Sequence, residues 1–175
     1  MVLQTLRNQP VMRIQIALRE EDLRPDGIGL TEYELPGRDQ PRDWRTCMVW
    51  KYAQLSEIDS VVERQHLILA GPPYLSCSEP GDDGTMHAEI GLQLNRLGIA
   101  EGRVEPAVLP GGDVATLSYT GYGATIGIGY RQLWAEMEKA GLTPAGETRE
   151  LLMTNPAWDP NPDHNWVQLI WPVKA

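Results

Sequence analysis

The sequence contains no phenylalanine, so every large ring belongs to one of six tryptophans or six tyrosines. Each of these rings carries an N–H or an O–H, which suits surfaces that are partly apolar and partly wet, ligand pockets among them. Cysteine is scarce as well. Cys47 and Cys77 are the only two, with no CxxC, which argues against a disulfide-stapled secreted scaffold and for a reducing, cytoplasmic setting. Long apolar runs are missing: the longest resemble Leu67–Gly71, too short to span a membrane, and MVLQTLRNQPVMRIQ lacks the apolar stretch of a signal peptide. No basic run exists either. Acids number 24 against 15 Lys and Arg, for a net charge of −9. That balance argues against direct nucleic-acid binding, whose affinity rests on Lys and Arg against phosphates, and against an anionic membrane surface.

Several catalytic signatures are absent too. His66, His87 and His164 lack metal-ligand spacing, and no G-x-S-x-G occurs, so neither a metal site nor a serine triad is expected. Gly121-Tyr122-Gly123 precedes a helix, but Ile126 stands where a dinucleotide loop needs its third glycine. No GK[ST] follows, so no nucleotide cofactor is expected.

What is present fits one globular domain of 175 residues, 42% apolar and 22% charged. Met12–Leu18 and Gly29–Leu35 alternate like strands, with Glu20–Gly27 as a polar turn and Pro36–Arg45 as a loop. Thr46–Ala53 has the β-branched and aromatic content of a strand, and Ser56 is placed to cap a short helix through Arg64. Pro73–Ser78 and Met86–Leu94 read as a strand pair, and Asn95–Gly102 as the connection between halves. Val104–Leu109 and Asp113–Thr120 are further strands. The clearest helix runs from about Ala124 to Ala140, with Ile126, Tyr130, Leu133, Trp134 and Met137 on one face and Gly141 as its C-terminal cap. Glu150–Thr154 and Asn165–Val173 complete the set, joined by the Pro-rich Asn155–His164.

The halves match in pattern. Each offers a strand, a helix and two strands joined by an acidic, Pro-containing loop, so that Gly71–Leu94 corresponds to Gly146–Val173. The expected fold is α+β: duplicated β-α-β-β units whose antiparallel sheet surrounds a central ligand cavity at the pseudo-two-fold junction. The expected organisation is an N-terminal extension over residues 1–27, a candidate for an added strand, and one domain over 28–175, with repeats at 28–95 and 103–174.

Glu150 is the leading site candidate. A carboxylate beside Leu151, Leu152 and Met153 loses solvation if it faces inward, which raises its pKa until a cationic guest arrives. The plain alternative is an edge residue paired with Arg149 or with solvent. Glu89 shares an alternating face with His87 and Gly91, and a solvated outer face explains it as well. In the repeat register Leu75 stands opposite Glu150, and Gln168 answers Glu89, so the charges are unequal between halves. Trp50, Tyr74, Tyr130 and Trp134 are candidates to stack on a planar or cationic guest, with core packing as the alternative. Trp158, in the Pro-rich loop, is placed to act as a lid.

The segments LPGGDVATLSYTG (Leu109–Gly121), GYRQLWAEMEKAGLTPAG (Gly129–Gly146), RELLMTNP (Arg149–Pro156), WVQLIWPV (Trp166–Val173), AGPPYLS (Ala70–Ser76) and AEIGLQL (Ala88–Leu94) resemble the GyrI-like effector-binding family. Such ligand domains also stand behind the DNA-binding regions of MerR- and AraC-type regulators. The resemblance implies an SHS2-like pair, an effector-binding-domain barrel with a cavity for lipophilic, often cationic drugs. It places Glu150 and Glu89 among the acids that line that cavity. The chain departs from the family pattern at Leu152, where a Tyr is usual; at Tyr122, a displaced aromatic; and in a first helix that reads as short. The implied function is binding of a small lipophilic compound, for drug sensing or sequestration, in a non-enzymatic cytoplasmic protein. Two alternatives stand beside it. One is a hydrolase of strained electrophilic natural products using Glu150, with Glu89, as general acid or base. The other is an inhibitor module that binds a protein partner.

Overall fold

The computed structural model describes residues 1–19, 44–78, 82–83, 85–121, 126–154 and 164–174. The expected turn at Glu20–Gly27, the run Gly29–Leu35, Tyr122 and Trp158 lie outside the described residues, as does most of Asn155–His164. Nine strands and two helices are described: β1 (Val2–Leu6), β2 (Gln9–Arg19), α1 (Trp44–Arg64), β3 (Tyr74–Cys77), β4 (Thr85–Gln93), β5 (Glu105–Leu109), β6 (Gly112–Thr120), α2 (Ile126–Lys139), β7 (Thr143–Pro144), β8 (Arg149–Leu152) and β9 (Trp166–Lys174).

The sheet is antiparallel and runs β1-β6-β9-β8-β3-β4-β2-β5, with β7 beside β9. That order is a palindrome of the repeat. β2, α1, β3 and β4 form one unit, and β6, α2, β8 and β9 form the other. The units meet where β3 pairs β8, with Leu75 opposite Glu150. The registers agree on both sides of this dyad. Leu75 pairs Ile90 and Ser76 pairs Glu89 in one unit, and Glu150 pairs Leu169 and Leu151 pairs Gln168 in the other. Glu89 and Gln168 therefore occupy matching places, as the sequence alignment of the halves requires.

β1 and β5 exchange units: β1 precedes β2 but pairs β6, while β5 precedes β6 but pairs β2. The two links, Arg7–Asn8 and Pro110–Gly111, cross in contact. The Gly111 N–H donates to Asn8 Oδ1 at 2.8 Å, and a Cβ on Gly111 would stand 2.4 Å from the Leu6 carbonyl oxygen. Only glycine fits that crossing. It brings the two ends of the sheet together and curls it into a half-barrel. β1 and β2 lie N-terminal to residue 27, inside the sheet, and β2 supplies Val11, Met12 and Ile14 to the buried core.

Both helices cover the same face of the sheet. Leu55, Ile58, Val61 and Val62 of α1 pack on Met12, Ile14, Leu75, Ile90 and Leu92. Ile126, Leu133 and Met137 of α2 pack on Ala115, Val167, Leu169 and Val173. Each fully buried Leu or Ile here contributes about 1.5–3 kcal/mol relative to exposure.

The helices end alike. The Gly141 N–H donates to the Glu138 carbonyl and Leu142 N–H to Met137, with Gly141 at φ +69°. In the first unit His66 N–H donates to Glu63 and Leu67 N–H to Val62, with His66 at φ +51°. Both are left-handed caps of the 6→1, 5→2 kind.

Three expectations are corrected. Thr46–Ala53 is helix, inside α1, rather than strand. Ser56 is internal to that helix rather than its cap: its carbonyl accepts from Ser60 Oγ. The first helix has 21 residues against 14 for α2, so it is not short. The physical reason lies in phase. Leu55, Ile58 and Val62 carry a three-and-four spacing that extends backward through the apolar residues before them, and a long amphipathic face outweighs the weak strand preference of a short β-branched run.

Among the described residues no helix is long and apolar enough to cross a membrane, and no group of three or more His, Cys, Asp or Glu is placed to hold a metal ion.

Candidate functional site

Strand alternation divides β8 between two environments. Glu150 and Leu152 point to the face that the helices cover, and Arg149 and Leu151 to the other. Glu150 is only 6% exposed and stands on the dyad between Leu75 and Leu169. The Tyr130 hydroxyl of α2 donates to Glu150 Oε1 at 2.9 Å. A hydrogen bond to a buried carboxylate contributes about 1.5–3 kcal/mol. It also orients the carboxylate from the helix above. The alternative in which Glu150 pairs with Arg149 fails, because consecutive strand residues face opposite sides.

An aromatic row leads away from this pair. Tyr130 meets Trp171 of β9 edge-on, centroids 6.2 Å apart at 86°. Trp134, one turn further along α2, tilts on Trp171 at 5.5 Å and is 42% exposed. Leu152 continues the Glu150 face and packs against the first unit's core. The helix face thus gathers Glu150, Tyr130, Trp134 and Leu152 from the sequence candidates and adds Trp171. Trp171 was legible as a residue in phase with Leu169 on an alternating strand, but nothing in the sequence tied it to Tyr130. Trp50 lies on α1, and its side chain is outside the described set, as is Trp158 entirely.

Glu89 and Tyr74 stand on the opposite face of the sheet. The Tyr74 hydroxyl donates to Glu89 Oε1 at 2.5 Å. Arg13 Nη1 donates to Glu89 Oε2 at 2.5 Å, and Gln15 Nε2 to the same oxygen at 3.2 Å. Tyr74 is fully buried. Burial, and then the Glu89 carboxylate, push its phenol well above its ordinary value, so it remains a proton donor. Its ring lies over Gly91, where a Cβ would come within 2.7 Å of the ring carbon Cε1. This glycine is what lets Tyr74 reach Glu89. Arg149, 8% exposed, has its affinity for a proton lowered first by burial, against the pull of Tyr74, Glu89 and Glu147. The structure therefore does not bring Glu89 and Glu150 together; the two acids look out from opposite sides of one sheet.

No family model and no curated protein matches the sequence. Solved structures do match in fold. The crystal structure of the EcmrR C-terminal domain superposes with a TM-score of 0.69 at 15% identity, covering 99% of this chain and 96% of that one. In the cryo-EM structure of the EcmrR–DNA complex the TM-score is again 0.69, at 16% identity over 99% of this chain, and the chain spans only 56% of the EcmrR chain. A hydrolase from Listeria innocua gives 0.61 at 12% identity, over 99% of this chain and 91% of that one. SAV2435, solved bound to tetraphenylphosphonium, gives 0.57 at 13% identity, over 99% and 93%. The chain thus has the α+β effector-binding-domain fold that its sequence resemblance implies.

Proposed function

We propose that this chain binds a small lipophilic organic cation on the helix face of the sheet, at the Glu150–Tyr130 pair, and serves in sensing or sequestering such compounds. The observation that carries the reading is a carboxylate 6% exposed, set among leucines at the dyad and held by a tyrosine hydroxyl. A carboxylate in apolar surroundings suits a guest that is positive and greasy at once. Trp171 and Trp134 beside it supply ring faces for such a guest, each cation–ring contact being worth about 0.5–2 kcal/mol. That SAV2435, with the same fold, was solved with tetraphenylphosphonium supports this ligand class for the present chain.

The test is titration of the full chain with tetraphenylphosphonium and with a neutral tetraphenyl analogue of similar size, followed by tryptophan fluorescence. Glu150→Gln keeps the shape and the hydrogen bond from Tyr130. It is expected to weaken the cation by about tenfold or more, as loss of one charge-assisted contact of roughly 1.4 kcal/mol or above requires. The neutral analogue should change less than about twofold. Equal losses for both ligands would remove Glu150 as the counter-charge.

A further inference from the structure

The far face of the sheet carries a second, oppositely charged arrangement. Gln15, Glu89, Ser76 and Arg149 form one row across β2, β4, β3 and β8, and Arg13, Gly91, Tyr74 and Leu151 form the row beside it. Glu89 has both oxygens engaged, one by Tyr74 and the other by Arg13 and Gln15. Ser76 Oγ donates to the Thr148 carbonyl. These contacts leave Arg149. Its residue is 8% exposed, yet among the described residues its guanidinium makes no hydrogen bond and no ion pair. Among the described residues Arg13 Nε is buried with no acceptor. Among the described residues Glu89 is contacted by Arg13 and not by Arg149, on which the Glu89 and Glu147 charges act only at longer range. A guanidinium stays charged in a protein, and one so little exposed gains from a hydrogen-bonded partner.

We propose that this far face is a second binding site, for a small organic carboxylate held by Arg149 beside Tyr74 and Ser76. The planar guanidinium matches a carboxylate through two parallel hydrogen bonds. Charge selects the class further. A single negative charge meets less repulsion from Glu89 and Glu147 than a dianion such as phosphate does. The site is separate from the Glu150 site: the strand between them shows a cation on one side and an anion on the other.

The test uses the full ¹⁵N-labelled chain, following the Arg149 Nε–H resonance and the thermal midpoint. Sodium acetate, sodium chloride and inorganic phosphate are compared at equal ionic strength. Acetate is expected to shift both readouts saturably, at concentrations about tenfold below any effect of chloride or phosphate. Arg149→Met should abolish the acetate-dependent rise in midpoint, and replacing a buried charge by an apolar side chain of similar length is commonly tolerated. Should that variant not fold, Arg149→Lys serves: it keeps the charge, loses the planar fork, and should weaken acetate by about tenfold. Glu150→Gln must leave the acetate response intact, and Arg149→Met must leave tetraphenylphosphonium binding intact, so failure at one face is distinguishable from failure at the other. Acetate acting no better than chloride, phosphate acting better than acetate, or an acetate response that survives Arg149→Met or is undiminished in Arg149→Lys would overturn the proposal.

Discussion

The two units share a frame and differ at its centre. Strand registers, helix faces and helix ends correspond, down to the capping hydrogen bonds. With Arg64 and Lys139 set at matching helix ends, Ile58 and Val62 fall on Leu133 and Met137, and Leu55 falls on Tyr130. The pair Glu150–Tyr130 therefore has Leu75 and Leu55 as its counterpart, an apolar pair in the same geometry. Trp171 has Leu92 as its counterpart, and Tyr74 stands where Arg149 does. One unit keeps the dyad dry, and the other places polarity there. The difference shows that this site is a departure from symmetry at a few positions, on a frame where symmetry is otherwise kept.

Making the two units alike at the dyad tests that view most strongly. Leu75→Glu places a second carboxylate directly across from Glu150 in a region without exposure. Burying an unpaired charge beside a like charge should cost more than about 3 kcal/mol, read as a large fall in the urea midpoint or as failure to fold. The opposite change, Glu150→Leu with Tyr130→Leu, copies the first unit into the second. Stability should stay within about 1 kcal/mol of the original or rise, because a buried polar pair is exchanged for packed leucines. Tetraphenylphosphonium binding should vanish with it. A doubly substituted chain that is markedly unstable would show that the carboxylate belongs to the frame rather than to the site.

A smaller effect is expected where the halves use different residues for one task. His66 and Gly141 both take a left-handed backbone at a helix end, at φ +51° and +69°. A side chain in that region costs about 1 kcal/mol relative to glycine. His66→Gly should therefore stabilise the chain by up to about 1 kcal/mol, and Gly141→Ala should destabilise it by about the same amount. Paired thermal melts check both signs. An unchanged or lowered midpoint in His66→Gly would mean that the histidine side chain supports the first helix in a way glycine cannot.

Much of this frame was legible in the sequence. The α2 face was plain from Ile126, Leu133 and Met137, and its end from Gly141. The repeat placed Leu75 opposite Glu150 because the two copies of the strand carry the same spacing from their preceding glycines. The N-terminal part of the first helix, TCMVWKYA, is short, apolar and β-branched in places, a pattern that fits a strand as well as a helix. The exchange of β1 and β5 was invisible: pairing between strands distant in the chain is decided by the crossing at Gly111, not by any local pattern. For the site, Glu150 and Tyr130 could be named singly but not as a hydrogen-bonded pair. The opposition of Glu89 and Glu150 depends on the parity of two strands in a shared sheet, which one chain's pattern does not relate. Arg149 is legible in the sequence only as an alternative partner for Glu150, because its place beside Ser76 on the far face depends on the same parity.

The smallest effect concerns a contact that belongs to the first unit and lies away from the dyad. Arg103 precedes Val104, whose place corresponds to Met1 in the other unit, and its guanidinium grips the Glu57 carboxylate of α1 through three contacts of 2.6–3.1 Å. The hydrogen bond from Arg103 holds the Glu57 carboxyl below its ordinary 4.5. A depressed carboxylate contributes stability that is fully present above its unfolded pKa and is lost as pH falls through its folded value. Arg103→Met should thus return the Glu57 titration toward 4.5, seen by carboxyl NMR. The midpoint difference between the two proteins should be constant near neutral pH and shrink only once pH drops below that value. Both side chains are well exposed, so the difference should be small and should fade in salt. Tetraphenylphosphonium affinity should not change at all, because this pair holds the frame and not the polarity at its centre. A loss of affinity in Arg103→Met would mean that the frame and the site are coupled, and that the symmetry of the one constrains the asymmetry of the other.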